Sequence, residues 1–250
     1  MNNLEKDILQ KTKAAIYDFN MIQDGETLLL WVSWGKDSML LWYILKELRK
    51  SMKIKFEMRA VYMFKEFLID CDIQFEEKRR YYEDVLWIQL EKVDIKLPEE
   101  SKVNDEIGQT CQWCAYSRRV SMMKLCEQYG ATKIVYGHHL DDIVTTTFMN
   151  LSQGRSLKIM PPLNKMLKGN VTFIRPFAYV REMDIKKLCI EKWIPFSPCS
   201  CPVWETTMRN KIKYELWDFE KKFPNFMENT FWWLVKDFKE KYEKKQYIVI

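Results

Sequence analysis

The sequence predicts a doubly wound, mostly parallel α/β sheet with a helix in front of it and a helical extension behind. Three observations predict this. Short apolar runs suited to buried strands recur at Leu28–Val32, Phe56–Met63, Val85–Leu90, Lys133–Tyr136 and Val171–Ile174. Helix-like runs lie between them, predicted over Lys36–Lys50, Ile73–Asp84, Ala115–Tyr129 and Asp141–Leu151. That alternation is the signature of strand–helix–strand units in a parallel sheet. Polar loops also follow two of the strands directly, and ligands of such sheets bind beyond the carboxyl ends of the strands.

Taken in order, the opening "MNNLEKDILQKTKAAIYDFN" reads as an amphipathic helix, and 1–24 as an N-terminal helical segment. "LLLWVSWGKDSMLLWYILKEL" (Leu28 to Leu48) breaks an apolar run with six mostly polar residues and resumes it at once. Leu28–Val32 is short and apolar, as a buried strand is. The right half is long and apolar nearly all round, as a buried helix is. Residues 25–195 form the sheet domain. After Pro195 the pattern changes to two helical runs, predicted over Val203–Lys222 and Phe226–Tyr242 and separated by Pro224. They are rich in aromatic and basic residues, so 196–250 reads as a helical extension that binds nucleic acid.

The composition bounds the function. The chain has 250 residues, 47% of them hydrophobic, enough for one full core. No stretch approaches 18 uncharged apolar residues, and the start lacks the apolar core of a signal peptide, so a cytoplasmic protein with no membrane partner is expected. Seven cysteines in such a chain point to metal binding, catalysis or core packing rather than a disulfide framework. Cys71, Cys126 and Cys189 stand singly among apolar neighbours and read as core. The net charge of +5 is modest, but from Ile143 to Arg181 there is no acidic residue, while Arg155, Lys158, Lys165, Lys168, Arg175 and Arg181 are basic. A segment of one sign suggests a surface that faces a polyanion.

Two loops and two cysteine pairs carry the chemistry. A strand, a tight polar loop and a helix point backbone N–H groups at an anion. In Ser33-Trp34-Gly35-Lys36-Asp37-Ser38 a lysine and two hydroxyls add to that, so a phosphate site is expected. It is not a Walker A loop, because Leu30 stands where the first glycine would be. "CQWC" places Cys111 and Cys114 three apart, and "PCSC" offers Cys199 and Cys201. Three of these could hold a cubane cluster by three corners and leave one iron open; four would suit structural zinc. "GHHLDD" (Gly137 to Asp142) gathers both histidines of the protein beside two acids at a strand's end, which invites acid–base or metal chemistry, with Asp142 first and Asp141 second.

From Leu4 to about Trp233 the chain resembles the tRNA 2-thiocytidine synthetases (TtcA-type), in the TtcA/TtuA group of PP-loop ATPases. The likeness lies in the shortened phosphate loop, "CQWCAYSRR", "GATKIVYGHHLDDIVTTTFMN", "LKIMPP" and "RPFAYVREMDI", all in order. It departs at Trp34, which replaces the first glycine of the usual Ser-Gly-Gly-x-Asp-Ser loop; if that glycine takes a positive φ, tryptophan is strained there. It departs also in Cys199-x-Cys201, a closer spacing than usual, and in Phe64–Ser101, which matches poorly.

The resemblance implies a PP-loop ATP pyrophosphatase fold that splits ATP into AMP and pyrophosphate. Ser33, Gly35, Lys36, Asp37, Ser38, Gly137 and Asp142 would bind ATP with Mg2+. Cys111, Cys114 and Cys201 would hold a [4Fe–4S] cluster, Cys201 rather than Cys199 because the family's arginine eight residues onward is then Arg209. Asp142, Arg118, Cys111 and Cys114 would be catalytic, and Lys158, Lys165, Lys168 and Arg209 would bind tRNA. The implied activity is 2-thiolation of a cytidine, with sulfur from cysteine desulfurase-derived sulfide or persulfide, in a homodimer. Two other readings remain: sulfur transfer to a free base or other small molecule, and a non-catalytic RNA- or cluster-binding protein.

Overall fold

A computed structural model describes residues 2–64, 75–94, 107–155, 159–166, 171–197 and 206–243. Its centre is a six-stranded sheet in the order β3-β2-β1-β4-β6-β5, parallel except for the β5–β6 pair. The strands are β1 (Glu26–Val32), β2 (Phe56–Phe64), β3 (Leu90–Asp94), β4 (Lys133–Val135), β5 (Leu163–Lys165) and β6 (Thr172–Ile174). The helices are α1 (Asn3–Asp18), α2 (Lys36–Ser51), α3 (Phe75–Arg80), α4 (Ile107–Tyr129), α5 (Leu140–Ser152), α6 (Glu182–Glu191), α7 (Met208–Lys222) and α8 (Phe226–Glu243). The expected doubly wound sheet, its leading helix and its trailing helices are all present.

The period of two in β1 divides the core. Leu28, Leu30 and Val32 face one side, where they join Met39, Leu40, Ile44, Val144, Ile185 and Phe231. Leu29 faces the other, with Val61, Met63, Met122, Leu125, Cys126, Ile134 and Phe173. A strand covered on both faces needs apolar residues at every position, so β1 reads as a continuous apolar run. Cys126 and Cys189 are buried free thiols, as expected of packing residues; Cys71 lies outside the described residues.

The chain runs outward through β1, β2 and β3 on one side and resumes at β4 and β6 on the other, so the strand order reverses between β1 and β4, which is the topological switch point of the sheet. β1 leads into α2, which packs with α1 and α6, whereas α4 leans on β1 and β4 from the other side. The crevice at the carboxyl ends of β1, β4 and β6 is therefore where the two loops singled out in the sequence meet.

Two local expectations need correction. The strand predicted at Val85–Leu90 is displaced to Leu90–Asp94: Tyr81–Val85 forms a π-helical turn, and Trp87, 84% exposed, takes φ +60°. An edge strand such as "LEKVD" buries one face and reads as polar. β5 and α6 were not expected at all, although Ile185, Leu188 and Cys189 are buried at helical spacing on α6. The trailing helices also share the main core: Leu216 of α7 and Met227, Phe231, Val235 and Phe238 of α8 belong to it. Among the described residues no helix is long and apolar enough to cross a membrane.

Candidate functional site

The loop after β1 is built around two serines. Ser38 Oγ accepts from the Ser33 backbone N–H at 3.1 Å, lies 3.1 Å from Ser33 Oγ and donates to the Gly35 carbonyl at 3.0 Å. These bonds draw the chain into a tight arch whose far leg is the first turn of α2. Gly35 is the N-cap, in extended conformation and with no side-chain cap bond. The start of α2 thus directs its N–H dipoles into the crevice, where an anion is favoured.

Trp34 does adopt the left-handed backbone, at φ +60°. A side chain there costs on the order of 1–2 kcal/mol relative to glycine. Its ring is 4% exposed and packs on Tyr62, Phe75 and Tyr82 with centroid separations of 4.8, 6.0 and 6.1 Å. Burial of that size contributes about 3–5 kcal/mol on the scale of large-to-small substitutions, so packing outweighs the strain. Trp34→Gly is accordingly expected to lower stability by about 1–4 kcal/mol, measured by urea denaturation. A stabilised variant would show that strain dominates.

Charged groups of both signs fill the crevice beside the loop. Lys36 Nζ lies 3.1 Å from Asp37 and 2.8 Å from Glu182, and Lys213 of α7 pairs with the same Glu182. His139, 1% exposed, lies within 3.3 to 3.8 Å of four carboxylates: Asp142, Asp141, Asp37 and Glu182. Arg209 donates to Asp142 at 2.9 Å. Arg181 grips Asp141 at 3.2 Å and forks on to Glu220 of α7 at 3.1 and 2.6 Å. Glu220 in turn accepts from the Met227 N–H at 3.2 Å, which fixes the start of α8.

The cluster sets its own protonation. Burial alone would discharge His139, but Asp142, Asp37 and Asp141 outweigh it and raise the imidazole to about 9, so it is a cation at neutral pH. Burial disfavours the Asp142 anion too, yet His139, Arg209, His138 and Lys213 hold the carboxyl well below the usual range. Asp142 is thus a fixed anion and a poor proton acceptor. It also closes a capping box at the start of α5, accepting the His139 N–H at 3.2 Å. Burial would lower Lys36, but Asp37 and Glu182 raise it well above its ordinary value. Asp37, by contrast, is pushed up by its own burial.

Gly137 makes this convergence possible. A Cβ there would lie 2.9 Å from the Asp37 carbonyl carbon, 3.0 Å from the Ser38 nitrogen and 3.1 Å from the Asp37 carbonyl oxygen. The space a side chain would need at position 137 is thus filled by the backbone at the start of α2.

On the other face of the sheet the guanidinium of Arg118 stacks 4.5 Å above the ring of Trp31. Trp31 meets Tyr136 edge-on at 6.2 Å, and Tyr136 neighbours His138 at 5.4 Å and Arg175 at 6.0 Å. Cys111 and Cys114 lie in the N-terminal half of the same helix as Arg118.

Of the other residues expected from sequence, Lys165 is exposed on the edge strand β5, whereas Arg209 points at Asp142 inside the site. Lys158, Lys168, Cys199 and Cys201 lie outside the described residues. Arg181, expected on a surface that faces a polyanion, is instead buried against Asp141 and Glu220, and Arg175 of the same segment is buried too. The sequence gives no role to Glu182, Lys213 or Glu220, although Glu182 lies within "RPFAYVREMDI". Lys213 and Glu220 offered no signal beyond helical charge. Among the described residues no three His, Cys, Asp or Glu side chains converge as metal ligands. A Mg2+ ion arriving with ATP needs no such set, since it keeps waters and substrate phosphates as ligands.

Comparison with known proteins agrees with this geometry. The PP-loop domain family matches residues 4–218. The tRNA-cytidine(32) 2-sulfurtransferase of Vibrio cholerae is 37% identical over 239 residues, which cover 92% of this chain and 74% of that protein. The enzyme of the same description from Yersinia enterocolitica is 35% identical over 240 residues, covering 92% and 73%. Among solved structures, the U34-tRNA thiolase NcsA from Methanococcus maripaludis with its [4Fe–4S] cluster superimposes with a TM-score of 0.75. It shares 18% identity, and the match covers 93% of this chain and 80% of that one. The NH3-dependent NAD synthetase from Campylobacter jejuni has a TM-score of 0.54 at 13% identity, over 100% of this chain and 99% of that one. These two structural likenesses speak for the fold.

Proposed function

Since the chain belongs to the PP-loop domain family and, within it, to the tRNA-cytidine 2-sulfurtransferases, we propose that it thiolates a tRNA cytidine at C2 at the expense of ATP. The observation that carries this reading is a convergence. The Ser33–Ser38 loop, the 137–142 loop and the first turns of α6 and α7 meet at one end of the sheet, and the helix bearing Cys111 and Cys114 covers the adjoining strands.

A ring carbonyl oxygen is a poor leaving group. In the proposed sequence the cytosine O2 attacks the α-phosphorus of ATP, the bond to the bridging oxygen breaks, and pyrophosphate departs. Charge grows on the departing phosphates, and the N-terminus of α2 with Lys36 lies ready to stabilise it without reorganisation. Lys36 must exchange its carboxylate partners for phosphate oxygens; Glu182 keeps Lys213 when it does. A sulfur nucleophile then adds at C2 and AMP leaves with the former O2. Asp142, a fixed anion, orients Arg209 and His139 rather than accepting a proton, and Arg118 supplies positive charge on the cysteine side. The [4Fe–4S] cluster, held by Cys111, Cys114 and Cys201, would supply an iron free to present sulfide. The sulfur is assigned to sulfide or persulfide from a cysteine desulfurase and the active state to a homodimer, readings that rest on the family resemblance.

Lys165, with Lys158 and Lys168, is assigned to tRNA phosphate contacts, which supply affinity without sequence information. Lys165→Glu is therefore expected to weaken tRNA binding about tenfold at low salt and leave ATP binding unchanged; equal loss of both would refute the assignment. For the cluster, anaerobic purification with iron, sulfide and zinc analysis is the test. About four irons per chain, lost in Cys201→Ala and kept in Cys199→Ala, is the expected result. Zinc without iron would overturn it.

A further inference from the structure

Beside the charge cluster lies a second group that the ATP chemistry does not use. Arg175 follows β6, is 9% exposed, and donates from its terminal nitrogen to the Pro161 carbonyl at 2.6 Å. Its Nε is buried with no hydrogen-bond partner among the described residues, and so is Nδ1 of His138. A buried polar atom without a partner costs on the order of 1–3 kcal/mol, so two of them around one ring are a feature in need of a partner. Both adjoin the ring of Tyr136, which lies 6.0 Å from the Arg175 guanidinium and 5.4 Å from the His138 ring. Asp142 and Arg209 act electrostatically on both groups, which puts the pair next to the proposed reaction centre.

We propose that Arg175 and His138 form the subsite for the Watson–Crick edge of the target nucleoside, and that Arg175 selects cytosine over uracil. This rests on the sulfur-transfer reading and deepens it. An arginine Nε–H can only donate. Cytosine N3 is an acceptor, whereas uracil N3–H is a donor, so uracil would set two donors against each other in a buried site. Burial keeps His138 neutral, with its imidazole lowered to about 3. A neutral imidazole has one donor and one acceptor nitrogen, and the acceptor suits the exocyclic amine of cytosine. Tyr136 offers an aromatic edge against which a base taken out of its loop can lie, as single-stranded RNA bases do in protein sites. The Pro161 contact ties this subsite to the middle of the acid-free segment, so the side chain that would read the base also anchors the stretch assigned to the tRNA-facing surface.

Two measurements on the full chain test this. In the first, kcat/KM for thiolation is compared for tRNA with cytidine and with uridine at the target position. Wild type is expected to favour cytidine by about 100-fold. Arg175→Gln, whose amide can present either a donor or an acceptor, is expected to reduce that preference to within about threefold. Arg175→Lys, still donor-only, should retain most of it, and all three proteins should bind ATP equally. An unchanged preference in folded Arg175→Gln would overturn the proposal. In the second, the protein labelled with 15N-histidine, which has just two histidines, is titrated by NMR with cytidine and uridine 5′-monophosphates in the presence of a non-hydrolysable ATP analogue. Displacement of the His138 signals by the cytidine nucleotide at lower concentration than by the uridine nucleotide supports the subsite. Unmoved His138 signals would overturn it. If wild type thiolates no tRNA, the sulfur-transfer reading fails in the first measurement while the second still decides whether the subsite takes cytosine.

Discussion

Gly137→Ala will leave a folded protein that has lost ATP binding by about two orders of magnitude. The three atoms a methyl group would strike, at 2.9, 3.0 and 3.1 Å, all belong to the backbone of Asp37 and Ser38. A flexible side chain could swing aside, but the first turn of a buried helix cannot. The loop carrying His139 and Asp142 must therefore retreat from the loop carrying Lys36 and Asp37. His139 then loses its approach to Asp37, now 3.8 Å, and the two halves of the phosphate site no longer meet. Displacements near 1 Å at such sites cost about 100-fold in rate. Isothermal titration with a non-hydrolysable ATP analogue checks this, with circular dichroism to establish folding. Gly154→Ala is the control: that glycine has φ +64° but open space where its Cβ would be, so it bears on stability and not on nucleotide. Unchanged ATP affinity in Gly137→Ala would mean that the loops can separate without consequence.

Lys36→Met is expected to slow AMP formation by about 1,000-fold. The lysine is the cation nearest the start of α2, and its two carboxylate partners keep it charged. Loss of a preorganised donor to a developing oxyanion costs about 100- to 1,000-fold, and this substitution removes a full charge as well. Part of the effect will appear as instability, because Asp37 loses its closest counter-ion while Glu182 keeps Lys213. Single-turnover rates of AMP release, normalised to folded protein, separate the two. Lys36→Arg preserves the charge but not the compact head, and should recover stability more fully than rate. A rate within tenfold of wild type in Lys36→Met would remove the lysine from the chemistry.

The two site loops were legible in the sequence for a common reason. In Ser33–Ser38 and Gly137–Asp142 the residues that act together are contiguous, and each loop directly follows a short apolar run of the buried-strand kind. The partners that complete the site were not legible. Glu182, Lys213 and Arg181 reach it from α6, α7 and the turn before α6, and nothing in a helix's own charge pattern says which groove it will lie in. Trp34 was legible as an anomaly but not as a solution, because Tyr62, Phe75 and Tyr82 come from three separate elements. The misplaced strand at Val85–Leu90 has a different cause. Its apolar residues serve a turn packed under α2, where Leu86 is buried and Trp87 is not, and a short apolar run does not distinguish that from a strand. Arg209 shows the limit of reading by charge: a basic residue in a basic helix, it points at Asp142 and not outward.

The proposed mechanism joins ATP cleavage and sulfur transfer to cytidine in one site. The most direct measurement incubates the anaerobically purified chain with tRNA, ATP, Mg2+ and sulfide, then determines AMP and the thiolated nucleoside in the same sample by chromatography and mass spectrometry of the digested tRNA. The expected result is 2-thiocytidine and AMP in equal amounts, both lost without ATP and both lost in Lys36→Met. AMP formed without sulfur in the tRNA, or sulfur on a nucleoside other than cytidine, would contradict it.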